Sequence, residues 1–185
     1  MLEEIVIAGF GGQGVMVAGQ LLVHAGMEEG KQVAWIPSYG PEMRGGTANC
    51  TVIISDEEVG SPIVLNPGIA IVMNRPSLDK YEPLVRPGGL LIYNSSLITR
   101  RPERSDLKVV AVPANDEAVA LGNARLANTL LLGALLGLTD MLPLDAVAAS
   151  MPEVFGPRHQ DLLALNRRAL ERGRELALAP AGSAG

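Results

Sequence analysis

The stretch Glu4-Ile5-Val6-Ile7-Ala8-Gly9-Phe10-Gly11-Gly12-Gln13-Gly14-Val15 decides the fold. Its first half is a short β-branched run without polar interruption. Such a run suits a strand of a parallel sheet covered on both faces. Glycines at 9, 11, 12 and 14 then make a loop. From Val15 to Glu29 the apolar residues fall at helical spacing, and Gly30 is the stop. Gln32 to Ile36 reads as a second strand closed by Pro37. The unit is strand, loop, helix, strand, and such crossovers are right-handed.

Working outward, Ser38 to Gly46 has no periodicity and reads as a loop, while Thr47 to Ser55 alternates like a strand. Further strands are predicted over Ile69 to Met73, Leu90 to Tyr93 and Val109 to Pro113, with a short helix near Ser77 to Glu82. The last third is helical. Asn115 or Asp116 is the expected cap of a helix reaching about Leu136, because a short side-chain oxygen can accept an unpaired amide. Leu144 to Met151 is a shorter helix, and Pro157 opens one that runs from Arg158 to Leu178. The prediction is a three-layer α/β sandwich with a largely parallel, Rossmann-like sheet and C-terminal helices. Residues 1–178 form one domain, and 179–185 a disordered tail with nothing to bury.

Composition narrows the function classes. The 185 residues are 48% hydrophobic but only 3% aromatic, so the core is aliphatic. The single cysteine, Cys50, cannot supply an internal disulfide, a four-cysteine zinc site or an iron–sulfur cluster. A net charge of −5 argues against nucleic acid as a partner. No apolar run reaches the ~18 residues of a membrane span, and acidic residues stand where a signal peptide is basic. The expectation is a cytoplasmic protein that meets neither membrane nor nucleic acid.

The loop Gly9-Phe10-Gly11-Gly12-Gln13-Gly14 fits G-x-G-x-x-G between strand and helix. Glycine permits close backbone approach, and a helix start offers unbonded amides at its positive end. A phosphate is stabilised there. A dinucleotide also needs a carboxylate at the end of the second strand to hold a ribose hydroxyl. That position falls on Trp35-Ile36-Pro37-Ser38-Tyr39, which has none. A nicotinamide site is therefore disfavoured. A phosphate-bearing ligand, a partner backbone or a ligand-free tight turn remain.

The second loop, Ser38-Tyr39-Gly40-Pro41-Glu42-Met43-Arg44-Gly45-Gly46, combines a phenol, a carboxylate and a guanidinium. After a second strand it leaves the carboxyl edge of the sheet, where open α/β sheets bind ligands. Arg44 can offer a planar fork to a carboxylate or phosphate, or pair with Glu42 and tie the loop down.

These two loops together resemble the gamma subunit of the 2-oxoacid:ferredoxin (acceptor) oxidoreductases, which also occurs as a domain of single-chain pyruvate:ferredoxin oxidoreductases. The likeness continues through Thr47 to Ser55, Ser61-Pro62, Asn128 with Leu132-Gly133-Ala134, and the helix around Asn166, covering residues 3 to 176. It implies a complex in which thiamine diphosphate with Mg attacks a 2-oxoacid and electrons pass through iron–sulfur clusters to ferredoxin. Coenzyme A takes the acyl group. It implies alpha, beta and ferredoxin-like delta partner subunits, which carry those cofactors. It implies that this chain is inactive alone. On that resemblance it docks and helps complete the active-site region, with no catalytic residue or metal site of its own assigned. Gly9, Gly11, Gly12, Gln13 and Gly14 are its candidate phosphate or coenzyme A residues. Ser38, Tyr39, Gly40, Pro41, Glu42, Arg44, Gly45 and Gly46 are its candidate active-site or interface loop. Its length as a separate chain leans toward a 2-oxoglutarate or branched-chain assembly over pyruvate. Partner surface left bare makes the isolated chain prone to self-association. The alternative from another class is a stand-alone Rossmann-like nucleotide-binding protein.

Other reactive residue types have plainer readings. Cys50, alternating with Ala48 and Val52, is a small core residue. His24, in the first helix, is a packed or solvated-edge residue, and His159 makes a local bond at a helix start. Arg100, Arg101 and Arg104 form a solvated loop, and the arginines of 167–174 a solvated helix face.

Overall fold

A computed structural model describes residues 1–38 and 47–180. Six strands form one sheet: β1 (Leu2–Phe10), β2 (Gln32–Ser38), β3 (Thr47–Ser55), β4 (Ile69–Val72), β5 (Leu90–Asn94) and β6 (Lys108–Val112). Their order is β2-β3-β1-β4-β5-β6. The helices are α1 (Val15–Glu28), α2 (Arg75–Tyr81), α3 (Ala114–Ala120), α4 (Ala127–Leu138), α5 (Leu144–Phe155) and α6 (Leu163–Leu178). No helix among the described residues is long and apolar enough to cross a membrane.

The three-layer α/β arrangement matches the sequence expectation, with one change. β1, β4, β5 and β6 are parallel, but β3 lies between β1 and β2 and is antiparallel to both. β2 therefore points with β1 but stands one strand away from it. Alternation within Thr47–Ser55 marks a strand and carries no sign of its direction. β2 also runs through Pro37 instead of ending there. It is an edge strand, where a missing amide breaks no ladder on the outer side.

Successive residues of β1 feed two cores. Ile5 and Ile7 join α1, α4 and the other C-terminal helices in the larger one. Val6 and Ala8 join Leu78, Tyr81 and Val85 of the α2 region in the smaller. Every residue of α4 from Ala127 to Leu136 is buried, which explains an apolar sequence on all its faces. α4 and α6 cross in backbone contact: a Cβ on Gly133 would lie 2.1 Å from the Leu170 carbonyl oxygen, and one on Gly173 1.9 Å from that of Leu130.

Three expected helix boundaries shift. The single helix from 115 to 136 is broken after α3, where Gly122 takes φ +102° and Asn123 is extended. A 3-10 turn (Ala124–Leu126) then leads into α4, and Asn123 Oδ1 accepts from the Arg125 amide at 3.0 Å. Neither Asn115 nor Asp116 caps α3, because Pro113 holds the cap position. The caps arrive from the end of β5 and just beyond it: Ala114 N donates to Asn94 Oδ1 at 3.2 Å and Asp116 N to Ser96 Oγ at 3.1 Å. α5 continues to Phe155, past the expected Met151, with Pro152 inside it. Residues Pro157–Leu162 form a 3-10 segment bent at His159, so the last α-helix starts at Leu163.

The segment with Arg100 and Arg104 is stapled down, contrary to the solvated-loop expectation. Glu82, buried at 5% exposure, accepts from the Arg104 amide and the Arg100 guanidinium, each at 2.9 Å, and from the Glu103 amide. Burial pushes its carboxyl up. The Arg104 amide, the Arg100 guanidinium and the Glu103 amide outweigh that and hold it below the usual range. A carboxyl lowered on folding stabilises the native state above its unfolded pKa of ~4.3 and loses that contribution as pH falls through the folded value. Glu82→Gln is expected to cost about 1–3 kcal/mol at pH 7 and to flatten the acid limb of stability below about pH 4.3. Urea midpoints between pH 3 and 7 test this, and parallel curves for the two proteins would refute it.

Cys50 is fully buried against α1, its Sγ 3.5 Å from the Val15 carbonyl oxygen. Burial pushes the thiol up to about 11. Labelling by a disulfide reagent at pH 8 is expected to be at least about a hundredfold slower in the native chain than in urea. Equal rates would mean that the packing around Cys50 opens.

Candidate functional site

The site lies at the carboxyl edge of β1. Gly9 is within β1, and its backbone is crowded: a Cβ there would meet Gln13 Oε1 at 2.6 Å and Met73 Cβ at 3.0 Å. Gln13 folds back so that Oε1 accepts from the Phe10 amide at 2.6 Å, and its own amide donates to the Phe10 carbonyl at 3.2 Å. This reciprocal pair closes the turn that contains Gly11 and Gly12. Gly14 has φ +77°, the left-handed region that glycine occupies without strain, and starts α1 with no side-chain cap.

The structure places Ser38 at the end of β2, opposite Asn49, which in turn faces Ala8 of β1. Ser38 and Thr47 thus both stand at the edge that holds the glycine loop. Tyr39, Gly40, Pro41, Glu42, Arg44, Gly45 and Gly46 lie outside the described residues.

Gly12, Gln13 and Gly14 form one wall of a groove of about 610 Å³. Val17, Met73, Leu126, Phe155 and Leu162 supply apolar lining. Asn115, Asn123, Asn128, Asn166, Arg125 and His159 supply polar groups. α1 presents an amino end without a side-chain cap to it, and α4 is entered beside it through the 3-10 turn that Asn123 caps. Among the described residues no carboxylate lines the groove, although the chain carries five more acidic than basic charges. A positive helix end, a guanidinium and an imidazole with no counter-carboxylate among the described lining residues are the electrostatics of an anion site. A larger depression of about 840 Å³ at the opposite end of α4 differs in kind. Asp140, Asp145, Glu171 and Glu175 line it, and Arg167 bridges Asp145 and Glu171 across it.

Asn128 and Asn166 enter the groove as members of the C-terminal helices. The sequence pattern does not mark Arg125, Asn123 or Phe155 as groove residues, and His159 reads there as a local helix-start residue. The available signals were the Asn123 cap and the Gly156 stop, which turn their neighbours toward the glycine loop. The insertion of β3 also weakens the dinucleotide reading. The end of β2 stands two strand spacings from β1, about 10 Å, instead of beside it. Among the described residues no three of His, Cys, Asp and Glu converge as a metal site.

Comparisons with known proteins agree with this architecture. The family model described as pyruvate ferredoxin/flavodoxin oxidoreductase matches residues 4–176. The ketoisovalerate oxidoreductase subunit VorA of Methanothermobacter thermautotrophicus is 41% identical over 176 residues, covering 94% of this chain and 36% of that protein. The chain therefore spans about a third of that relative's length. The 2-oxoglutarate synthase subunit KorC of Methanothermobacter marburgensis is 33% identical, with 96% of this chain and 98% of that one covered. The crystal structure of the keto/oxoacid ferredoxin oxidoreductase gamma subunit from Geobacter sulfurreducens superposes with a TM-score of 0.81 at 32% identity, covering 95% of this chain and 98% of that one. With nearly its whole length matched in sequence and in fold, the chain belongs to the pyruvate ferredoxin/flavodoxin oxidoreductase family.

Proposed function

We propose that the chain is the gamma subunit of a cytoplasmic 2-oxoacid:ferredoxin oxidoreductase. The observation that carries this reading is the end-to-end correspondence with a separate gamma subunit of known structure. Alpha, beta and ferredoxin-like delta subunits are its partners. Thiamine diphosphate with Mg, bound on those subunits, supplies the carbanion chemistry of decarboxylation, and their clusters carry electrons to ferredoxin. A chain with one cysteine has no ligand set for a cluster.

This chain's share is to dock on those subunits and to complete the coenzyme A region. The groove at Gly12–Gly14 suits a phosphate-bearing ligand: its lining joins apolar side chains to anion-attracting groups, with no carboxylate among the described residues. Exposed apolar side chains support docking. Ile63 and Leu65 are 73% and 76% exposed, and Ile36 of β2 is open on the sheet face away from α1. The same bare surface accounts for an expected self-association of the isolated chain.

The test is purification of the tagged chain from its host under anaerobic conditions. Co-purifying subunits with a brown chromophore, and reduction of ferredoxin that needs both a 2-oxoacid and coenzyme A, are expected. Pyruvate, 2-oxoglutarate and 2-ketoisovalerate assayed in parallel identify the substrate. A colourless chain that purifies alone would overturn the reading.

A further inference from the structure

We propose that Asn128 is a positioning residue for the glycine loop, setting the affinity of the groove for coenzyme A without itself carrying chemistry. The inference rests on the groove being the coenzyme A phosphate site.

Asn128 stands at the start of α4, 7% exposed, and lines the groove. Its Nδ2 donates to the Gly14 carbonyl oxygen at 3.1 Å. The same oxygen accepts the first bond of α1, from the Ala18 amide at 3.0 Å. Two donors on one carbonyl fix the orientation of the peptide between Gly14 and Val15. In a trans peptide the oxygen and the following N–H point in opposite directions. Holding the Gly14 oxygen back along α1 therefore holds the Val15 amide toward the free end of the helix, where an anion would sit. Rotation of that peptide would turn a carbonyl oxygen toward the ligand and its donor away.

Asn128 also closes the space over Gly14. A Cβ on Gly14 would lie 2.3 Å from Nδ2 and 2.7 Å from Cγ of Asn128. Behind it the helices are tied together. Thr129 Oγ1 donates to Asn166 Oδ1 at 2.8 Å, and Asn166 Nδ2 donates to the Leu162 carbonyl at 2.9 Å. Thr129 and Asn166 are buried, so α6 braces the start of α4, which braces the loop.

The experiment compares complexes assembled with the wild-type chain, Asn128→Ala, Asn128→Ser and Gln13→Glu. Gln13→Glu keeps an acceptor for the Phe10 amide and adds negative charge to the loop. Asn128→Ala is expected to raise the KM for coenzyme A by about tenfold, leaving kcat and the KM for the 2-oxoacid within about twofold. Asn128→Ser, which retains a donor, is expected to recover part of the loss and serves alone if the alanine variant fails to assemble. Gln13→Glu is expected to raise the coenzyme A KM as well. An unchanged coenzyme A KM in both Asn128 variants, with Gln13→Glu raising it, overturns the positioning role and leaves the site. No change in any of the three overturns the site reading and the inference with it. A fall in kcat with both KM values unchanged would assign Asn128 to assembly and also overturn the proposal.

Discussion

Gly173→Ala is expected to lower the melting temperature by about 10 °C, a loss of about 3 kcal/mol or more in a domain of this size. Gly173 on α6 meets α4 where a Cβ would stand 1.9 Å from the Leu130 oxygen and 3.1 Å from the Ala134 amide nitrogen. Both are main-chain atoms of a helix buried along most of its length, so no rotamer change relieves the overlap. The helices would have to separate, opening the largest core. Gly133→Ala carries the same expectation from the other side of the crossing. Gly60→Ala is the control, since nothing lies within 4 Å of its added carbon. Thermal unfolding by circular dichroism decides it. A Gly173→Ala shift no larger than that of Gly60→Ala would show that the helices separate without loss.

Gly14→Ala is the second large expectation, and its effect should fall on coenzyme A. The backbone at φ +77° costs an alanine about 1–2 kcal/mol, and its methyl would displace the Asn128 amide. Relief by rotating Gly14 out of the left-handed region would redirect the amides at the start of α1. An increase of at least about tenfold in the KM for coenzyme A is expected, with the 2-oxoacid KM within about twofold. Equal increases in both would mean that the loop acts through assembly and not through the ligand.

Much of this architecture was legible in the sequence because local patterns dictate it. Ile5–Ala8 is apolar on both faces, and the glycines from Gly9 to Gly14 leave little but a strand-to-helix turn. The direction of β3 was not legible, because alternation is the same for a strand read either way. The break at Gly122 competed with strong helical spacing on both sides, and positive φ won. The caps of α3 come from Asn94 and Ser96, distant in the chain, so local capping rules pointed to Asn115 and Asp116. For the same reason the glycine loop could be named from sequence while its far wall could not. Arg125, His159 and Asn166 reach the groove only through the packing of α4, α5 and α6.

The antiparallel insertion of β3 has a consequence for the order of folding. β2 and β3 are neighbours in sequence, and their pairing closes one short loop. β3 on β1, and β4 on β1, join segments far apart in the chain. Short-range hairpins form in about 1–10 μs, whereas long-range pairings wait on loop closure. The hairpin of β2 and β3 is thus expected to form as a unit and dock edge-on to β1 as α1 packs across all three. The edge that carries the glycine loop would be completed late, by the docking of that hairpin onto β1.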